Sequence, residues 1–298
     1  MIIVNIKDGL GNQMFQFATA YAVAKRNGTG VICDARSLEE KIINPPNNYV
    51  IREFSLDIFN IYPSKINIFN KLITFQLNKK YTTRFFISNI LDRISPFNFL
   101  ERSRKTNTKL IKTKSKILYL DGYWQSEAYF KNYREDLLKI FNFDDLINEK
   151  KNIDLIEKID FFNDVCINIR RTDHLNSKEL NVITSEYYNK SINHFLKKDS
   201  NRKFYIFSDD IKWCKEKYSN KEKFKIIEHN YAGKRFKNYL YLMSKFKNFI
   251  IPNSTFAWWG AWLSKQDNKI VIVPKRWSGT DLQSEIDTPL DEWIRIEN

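Results

Sequence analysis

With 298 residues, 43% hydrophobic and 15% aromatic, the chain has material for two packed domains and is not composed as a disordered protein. Its 49 Lys and Arg against 35 Asp and Glu give a net charge of +14, which suits anionic partners: phosphorylated small molecules, nucleic acid or an anionic membrane surface. No apolar run approaches the ~20 residues of a membrane span, and the N-terminal segment lacks the charged start and cleavage site of a signal peptide. Cys33, Cys166 and Cys214 are widely spaced and form no CxxC pair, so neither a disulfide framework nor a zinc site is expected, and a cytoplasmic protein follows.

A first buried strand is predicted over residues 2–7, then a loop through Asp8–Gln13 and a helix. Met14, Phe17, Ala18, Tyr21 and Ala24 recur at helical spacing, and Asn27 and Gly28 supply the stop. Residues 31–34 read as the second strand. From residue 36 to 113 the pattern is irregular, with helices expected near 66–77 and 84–94. A strand at 117–120 ends at Asp121-Gly122-Tyr123-Trp124-Gln125-Ser126, and a helix follows through 137–141. The polar stretch 148–152 is the expected boundary, dividing the chain into 1–150 and 151–298.

The second half alternates more regularly. Strands are predicted at 165–169, 204–207, 224–227, 249–251 and 270–273. Helices between them begin at Thr184 or Ser185 (with Tyr188, Ile192, Phe195 and Leu196 on one face), run from 211 to 218, align Tyr239, Leu242, Met243 and Phe246, and pass through Phe256 to Leu263. Five strands separated by four helices predict a parallel sheet with helices on its faces. Val165, Ile167 and Ile169 alternate with Cys166, Asn168 and Arg170 in the period of a pleated strand.

Polar clusters follow the strands. Arg170 and Arg171, at the end of the 165–169 strand, present planar, always-charged forks suited to a pyrophosphate; two surface arginines in a basic chain are the plainer reading. Strand ends of one sheet open on one crevice, so Asn168–Asp173, Ser208-Asp209-Asp210 and Asn253-Ser254-Thr255 should converge. Asn253 or Ser254 caps a helix whose N-terminus offers backbone donors to an anion, or is simply a cap. Asp209 and Asp210 hold a ligand or cap the helix starting near Ile211. No two aspartates are spaced Asp-x-Asp, which points to arginine rather than a divalent cation on a leaving pyrophosphate. Trp258-Trp259-Gly260-Ala261-Trp262 reads as core packing, with Gly260 letting its helix lie close to the sheet. Gly9-Leu10-Gly11 is half of a dinucleotide fingerprint, but Met14 stands where the third glycine belongs and Asp34 does not rescue the match. His174, His194 and His229 have no metal-ligand spacing, and no nucleophile elbow or P-loop is present.

Five segments together resemble the bacterial α-1,2-fucosyltransferases of glycosyltransferase family eleven: Gly9–Gln16, Asp121–Ser126, Arg170–Asp173, Phe207–Asp210 and Asn253–Ala261. The resemblance covers most of the chain. It implies an α/β, GT-B-like architecture of two Rossmann-like domains facing a cleft, with an acceptor-side domain first and a nucleotide-sugar donor domain second. It implies inverting transfer of L-fucose from GDP-fucose to a galactoside 2-hydroxyl, in O-antigen or capsule synthesis, with no metal required and no cofactor beyond the nucleotide-sugar co-substrate. By that likeness Arg170 grips the pyrophosphate while Arg171 and Asp173 organise its loop. Ser254, Thr255 and Phe256 border the phosphates and ribose, and Gly9, Gly11, Asn12 and Gln13 approach the reacting centre. Asp209, Asp210 and Asn253 join the donor side, and Asp121, Trp124 and Gln125 the acceptor side.

Two positions depart from the family. Asn168 stands where its arginine motif begins with histidine, and Tyr239 stands where an acidic residue precedes Leu242-Met243-Ser244; in related enzymes both positions contact guanine. Asn168 retains a donor and an acceptor for a base edge. Tyr239 lies on the apolar face of its helix. No general base is evident; Asp173 and Glu179 are the candidates closest to the arginines. A lipid-linked acceptor and peripheral membrane association suit both the resemblance and the positive charge. Another nucleotide-6-deoxyhexose, GDP-, dTDP- or UDP-linked, is the nearest alternative donor. Nucleic-acid binding has the charge but no recognition motif.

Overall fold

The computed structural model describes residues 1–39, 52–65, 98–101, 103–146, 150–280 and 286–298; the helices expected near 66–77 and 84–94 lie outside the described residues. The chain divides into two compact units, Met1–Lys139 and Ile140–Asn298. This division falls upstream of the polar stretch at 148–152, because the residues just before it are anchors of the second unit. Phe141 meets Trp259 edge-on at 5.4 Å, Phe143 lies 5.4 Å from Tyr241, and the buried Lys237 Nζ donates to Asp145 at 2.6 Å.

In the first unit β1 (Ile2–Asn5), β2 (Val31–Asp34), β3 (Asn98–Leu100) and β4 (Leu118–Asp121) form a parallel sheet ordered β2-β1-β4-β3. Ile2, Ile3 and Val4 are wholly buried, as in a central parallel strand covered on both faces. α1 (Leu10–Arg26) links β1 to β2 and buries Met14, Phe15, Ala18 and Val23. It stops where the sequence predicts: Gly28 takes φ +60° and the Thr29 N–H returns to the Ala24 carbonyl. Its start differs. Leu10 opens the helix, so Gly11, Asn12 and Gln13 belong to its first turn and not to a loop. Short α-helices α2 (Arg36–Glu39), α3 (Thr108–Lys112) and α4 (Arg134–Ile140, ending at the division) are also among the described residues.

The second unit opens with α5 (Lys150–Ile156) and holds a six-stranded parallel sheet among the described residues, ordered β10-β9-β8-β5-β6-β7. Its strands are β5 (Val165–Ile169), β6 (Phe204–Ser208), β7 (Phe224–Ile227), β8 (Asn248–Ile250), β9 (Ile270–Pro274) and β10 (Ile294–Ile296). The helices between them are α6 (Ser185–Leu196), α7 (Ile211–Tyr218), α8 (Lys237–Met243) and α9 (Thr255–Leu263). The α/β class with a Rossmann-like parallel sheet in each unit is therefore the class the sequence predicts. All five β5 residues are buried, Cys166 and Asn168 included, so its alternating sequence lies between two helical layers and not at a solvent face.

The chain winds outward from β5 through β6 to β7, then returns to the other side of β5 for β8, β9 and β10. Strand order thus reverses between β5 and β8, the position where such sheets open a crevice at the carboxyl ends of their strands. Register brings the ends together: Ile169 pairs with Ser208, and Ile167 with Ile250. Tyr187 on α6 braces this edge, its hydroxyl donating to the carbonyls of Ile251 (2.6 Å) and Ile272 (3.1 Å).

α9 is apolar all round and buried, as a helix packed on every side must be. Trp258, Trp259 and Trp262 are core, with ring centroids 5.0–6.0 Å apart, and Trp258 Nε1 donates to the Thr288 carbonyl at 2.7 Å. Gly260 serves a helix–helix contact and not the helix–sheet contact expected from sequence: a Cβ there would lie 2.8 Å from Met243 Cε and 3.1 Å from Met243 Cβ. Gly260→Val should overpack the α8–α9 contact and cost about 1–3 kcal/mol. Chemical denaturation would read this; an unchanged midpoint would show that the two helices separate without penalty.

Candidate active site

The arginine loop is built on one carboxylate. Asp209, just past β6, accepts the Arg171 N–H through Oδ1 at 2.9 Å and the Thr172 N–H through Oδ2 at 3.1 Å, together with the Thr172 hydroxyl. Its Oδ2 also lies 3.2 Å from Arg170 Nη1, while Arg170 Nη2 donates to Asp173 at 2.7 Å. Arg170 is thus held from two directions with its side chain 27% exposed. Arg171 is fixed differently: Nε donates to Asp210 at 3.1 Å and the guanidinium lies 4.0 Å over the Trp213 ring. Asp210 also caps α7, accepting the Trp213 N–H at 3.1 Å. Of the two readings of this aspartate pair, ligand contact and capping, Asp210 does the capping, while Asp209 is engaged with the arginine loop.

The predicted convergence is observed within this unit. His174, 9% exposed, sits by Arg170 and Asp209 and beside the Asn253 side chain; burial, reinforced by the Arg170 charge, lowers its pKa to about 4. A neutral imidazole there leaves the guanidinium without a competing cation. Asn253 donates to the carbonyls of Leu180 (3.1 Å) and Trp277 (2.9 Å), so its amide ties the arginine loop's continuation to the segment after β9. Its Oδ1 and His174 Nδ1 are both buried without a hydrogen-bond partner among the described residues. Ser254 caps α9, accepting the Ala257 N–H at 3.5 Å. That leaves the N–H groups of Thr255 and Phe256, both part-exposed, without an intrahelical acceptor.

Two residues expected at the base are turned inward. Asn168 is 6% exposed and its amide donates to the Phe207 carbonyl on β6 at 3.2 Å. Tyr239 is 2% exposed, packs edge-on to Phe207 at 5.2 Å, and its hydroxyl donates to the Ile227 carbonyl; it is core. Beside it the chain is unusual. Gly233, Arg235 and Phe236 all take positive φ (+69°, +51° and +62°), a conformation costing a non-glycine residue roughly 1–2 kcal/mol. Glu179, the other base candidate, is half-buried, and its carbonyl accepts the Gly279 N–H at 2.7 Å.

The first unit redistributes its candidates. Gln13 is fully buried and saturated: Nε2 donates to the carbonyls of Asp8 (2.7 Å) and Glu53 (2.8 Å), and Oε1 accepts the Ser55 N–H at 2.7 Å. It braces the turn and has no amide group left for a ligand. Gly9 caps α1 at φ −77°, so no left-handed geometry requires glycine there, and Gly11 is buried in the following turn. Asn12 accepts from Gln125 Nε2 at 2.8 Å, and Asp121 accepts from Lys7 Nζ at 2.8 Å and Asn5 Nδ2 at 3.0 Å. Trp124, expected on the acceptor side, has its ring buried. It is 0% exposed, at φ +55°, because the Glu101 carboxylate takes the N–H groups of Tyr123 (2.5 Å) and Trp124 (3.0 Å) and folds the ring inward onto Tyr129. Sequence reading missed Glu101, His174 and Phe236. Glu101 fell in the irregular stretch, and His174 was weighed only as a metal ligand.

A cavity of about 60 Å³ lies behind the arginines, lined among others by Ile169, Tyr188, Thr184 and Trp213; it has room for water and not for a nucleotide. Among the described residues no group of three His, Cys, Asp or Glu is arranged to hold a metal ion, and no helix is long and apolar enough to cross a membrane. The strand-edge arrangement of a clamped guanidinium, a neutral histidine and an open helix N-terminus is suited to binding a phosphorylated ligand.

The model of "Glycosyl transferase family 11" matches residues 1–297. An α-1,2-colitosyltransferase of Escherichia coli is 31% identical, over 100% of this chain and 99% of that protein. The O-antigen biosynthesis glycosyltransferase WbnK of Escherichia coli is 27% identical, over 98% and 99%. Among solved structures, NodZ α-1,6-fucosyltransferase soaked with GDP-fucose matches with a TM-score of 0.48 and 11% identity, over 88% of this chain and 92% of that one. The chain is a glycosyltransferase and belongs to glycosyltransferase family 11.

Proposed function

We propose that this family 11 enzyme moves a 6-deoxyhexose, L-fucose first among them, from a GDP-linked donor to the 2-hydroxyl of a galactoside, with inversion and without a metal, in surface-glycan (O-antigen or capsule) synthesis. The observation that carries the reading is Arg170: a guanidinium clamped by Asp173 and Asp209 at the reversal of strand order, in the same strand-end cluster as the uncapped donors of α9. Family membership and the relatives' names, an α-1,2-transferase and an O-antigen enzyme, support the linkage and the setting. The second unit would then be the donor side and the first the acceptor side. A lipid-linked acceptor at the inner face of the membrane suits the net charge of +14.

In this mechanism the C1–O bond loosens toward an oxocarbenium-like state while charge grows on the departing diphosphate. Arg170 and the N–H groups of Thr255 and Phe256 meet that charge without reorganising, which is where fixed donors are most effective. Asp173, engaged by Arg170, orients the guanidinium; Asp173 and Glu179 both remain candidates for the general base. A second reading of the donor has its own support: the relative 31% identical is named for colitose, also a 6-deoxyhexose.

Arg170→Ala should lower turnover by about two to three orders of magnitude with the fold intact, equivalent to roughly 3–4 kcal/mol of transition-state stabilisation. Near-normal turnover in a folded variant would remove Arg170 from the mechanism. Asp209→Ala should be compound, costing about 1–3 kcal/mol of stability by orphaning the Arg171 and Thr172 N–H groups and lowering turnover by releasing Arg170. Lost stability with full activity would separate the clamp from catalysis.

Transfer should survive a chelator undiminished; loss on EDTA treatment and recovery with Mg²⁺ or Mn²⁺ would overturn the metal-free mechanism. In a thermal-shift panel GDP should raise the unfolding temperature above UDP and dTDP at equal concentration. Selective stabilisation by UDP or dTDP would replace the GDP assignment. Parallel assays with fucosyl and colitosyl donors decide the sugar.

A further inference from the structure

Phe236 is 40% exposed although rings hold it on three sides. His229 stands edge-on at 5.6 Å, Tyr239 lies at 5.7 Å and 64°, and Phe256, in the first turn of α9, at 6.5 Å and 79°. His229 is itself anchored, its Nε2 2.9 Å from the carbonyl of Ser208, the residue before the Asp209 clamp. The cluster therefore spans the carboxyl ends of β6, β7 and β8 and reaches the same helix N-terminus that faces the arginine loop.

The backbone here is forced. Gly233, Arg235 and Phe236 hold left-handed φ, and a Cβ on Gly233 would meet Asn238 Oδ1 at 2.2 Å. A non-glycine residue kept in this conformation, with a large ring turned partly to solvent, gains little for the fold from its exposed face. Such strain collects where a side chain must be presented. The two side chains expected to read the base edge are turned into the protein: Asn168 is 6% exposed with its NH2 donating to the Phe207 carbonyl, and the Tyr239 hydroxyl donates to Ile227.

We infer that Phe236 is the base platform of the donor site: the nucleobase of the nucleoside diphosphate stacks on its open face, next to Phe256, while the diphosphate lies toward Arg170. This rests on the donor reading above and deepens it. Stacking tolerates any base with a large π-face and reads the exocyclic groups weakly, so recognition of the base here is by size and shape rather than by its hydrogen-bonding edge. Phe236 is thus a specificity-determining residue at a position where the family resemblance directs attention to Asn168 and Tyr239 instead.

The test is calorimetric binding of GDP, IDP and inorganic pyrophosphate to the wild type, Phe236→Ala and Phe236→Trp. Phe236→Ala should weaken GDP and IDP about ten-fold, leave pyrophosphate unchanged, and raise the donor KM with little change in kcat. Phe236→Trp should restore GDP binding, and IDP should bind the wild type within about three-fold of GDP because its missing amino group is not read. Equal weakening of GDP and pyrophosphate would reduce Phe236 to a structural role and overturn the inference. So would unchanged GDP binding in Phe236→Ala, or no recovery in Phe236→Trp. If wild type binds pyrophosphate but no guanosine or inosine diphosphate, the donor reading itself falls with it; if wild type binds GDP and only the Phe236 pattern fails, the donor reading stands.

Discussion

The carboxylate of Asp209 fixes the geometry on which the second unit's edge depends. A strand that ends in two arginines has no reason of its own to hold them in place: both side chains are long, and the backbone leaving a parallel sheet has lost its ladder. Asp209 supplies what the ladder no longer does, accepting the N–H groups of Arg171 and Thr172 as a further rung beyond the Ile169–Ser208 pair. Charge-assisted bonds to backbone are stronger than neutral ones, and this pair leaves little freedom to the loop. The next residue, Asp210, turns the chain into α7 and takes Arg171, whose plane then rests on Trp213. One dipeptide closes β6, opens a helix and seats both arginines.

The sheet order makes this local device useful. With β5 between β6 and β8, the clamp from one neighbour and the helix start after the other meet over the same strand end. Had β8 followed β7 outward, Asn253 and Thr255 would stand at the far edge. The residues between them do the joining. His174 occupies the space between Arg170 and Asn253, and Asn253 holds the carbonyls of Leu180 and Trp277. Asn253 and Ser254 read from sequence as either ligand contacts or a helix cap, and Gln13 as a ligand contact by the family resemblance; in the structure all three satisfy backbone groups that the turns would otherwise leave unpaired.

Much of the second unit was legible because parallel strands buried on both faces are short apolar runs, and α6, α7 and α9 open on side-chain caps, Thr184, Asp210 and Ser254. The termini of β5, β7, α7 and α9 fall where the pattern puts them. β3 and β10 were not legible. Each is three residues, half-exposed, and made a strand only by its neighbour, Asn98–Leu100 by β4 and Ile294–Ile296 by β9. Trp124 failed for a different reason: its place depends on φ +55° and on Glu101, more than twenty residues away in sequence, and neither leaves a local signature. Tyr239 was ambiguous in sequence between a base contact and the apolar face, and its helix decides for the core.

The net charge of +14 misdescribes the site. Around the loop, Arg170 and Arg171 face Asp173, Asp209 and Asp210, two cations against three carboxylates, so the immediate cluster carries no cationic excess. On the proposed reading, attraction of a diphosphate there would come from geometry and not from summed charge: Arg170 spends one donor on each carboxylate and keeps Nε and the second hydrogens of its terminal nitrogens, already oriented. A free surface arginine would lose conformational freedom on meeting an anion, about as much as any long side chain does. Arg170 has lost it in folding, through ion pairs that are part-exposed and therefore weak as stabilisers. Their value lies in the direction they impose. The basic surplus elsewhere on the chain is of the kind that acts at longer range, on the rate of encounter with anions rather than on their positioning.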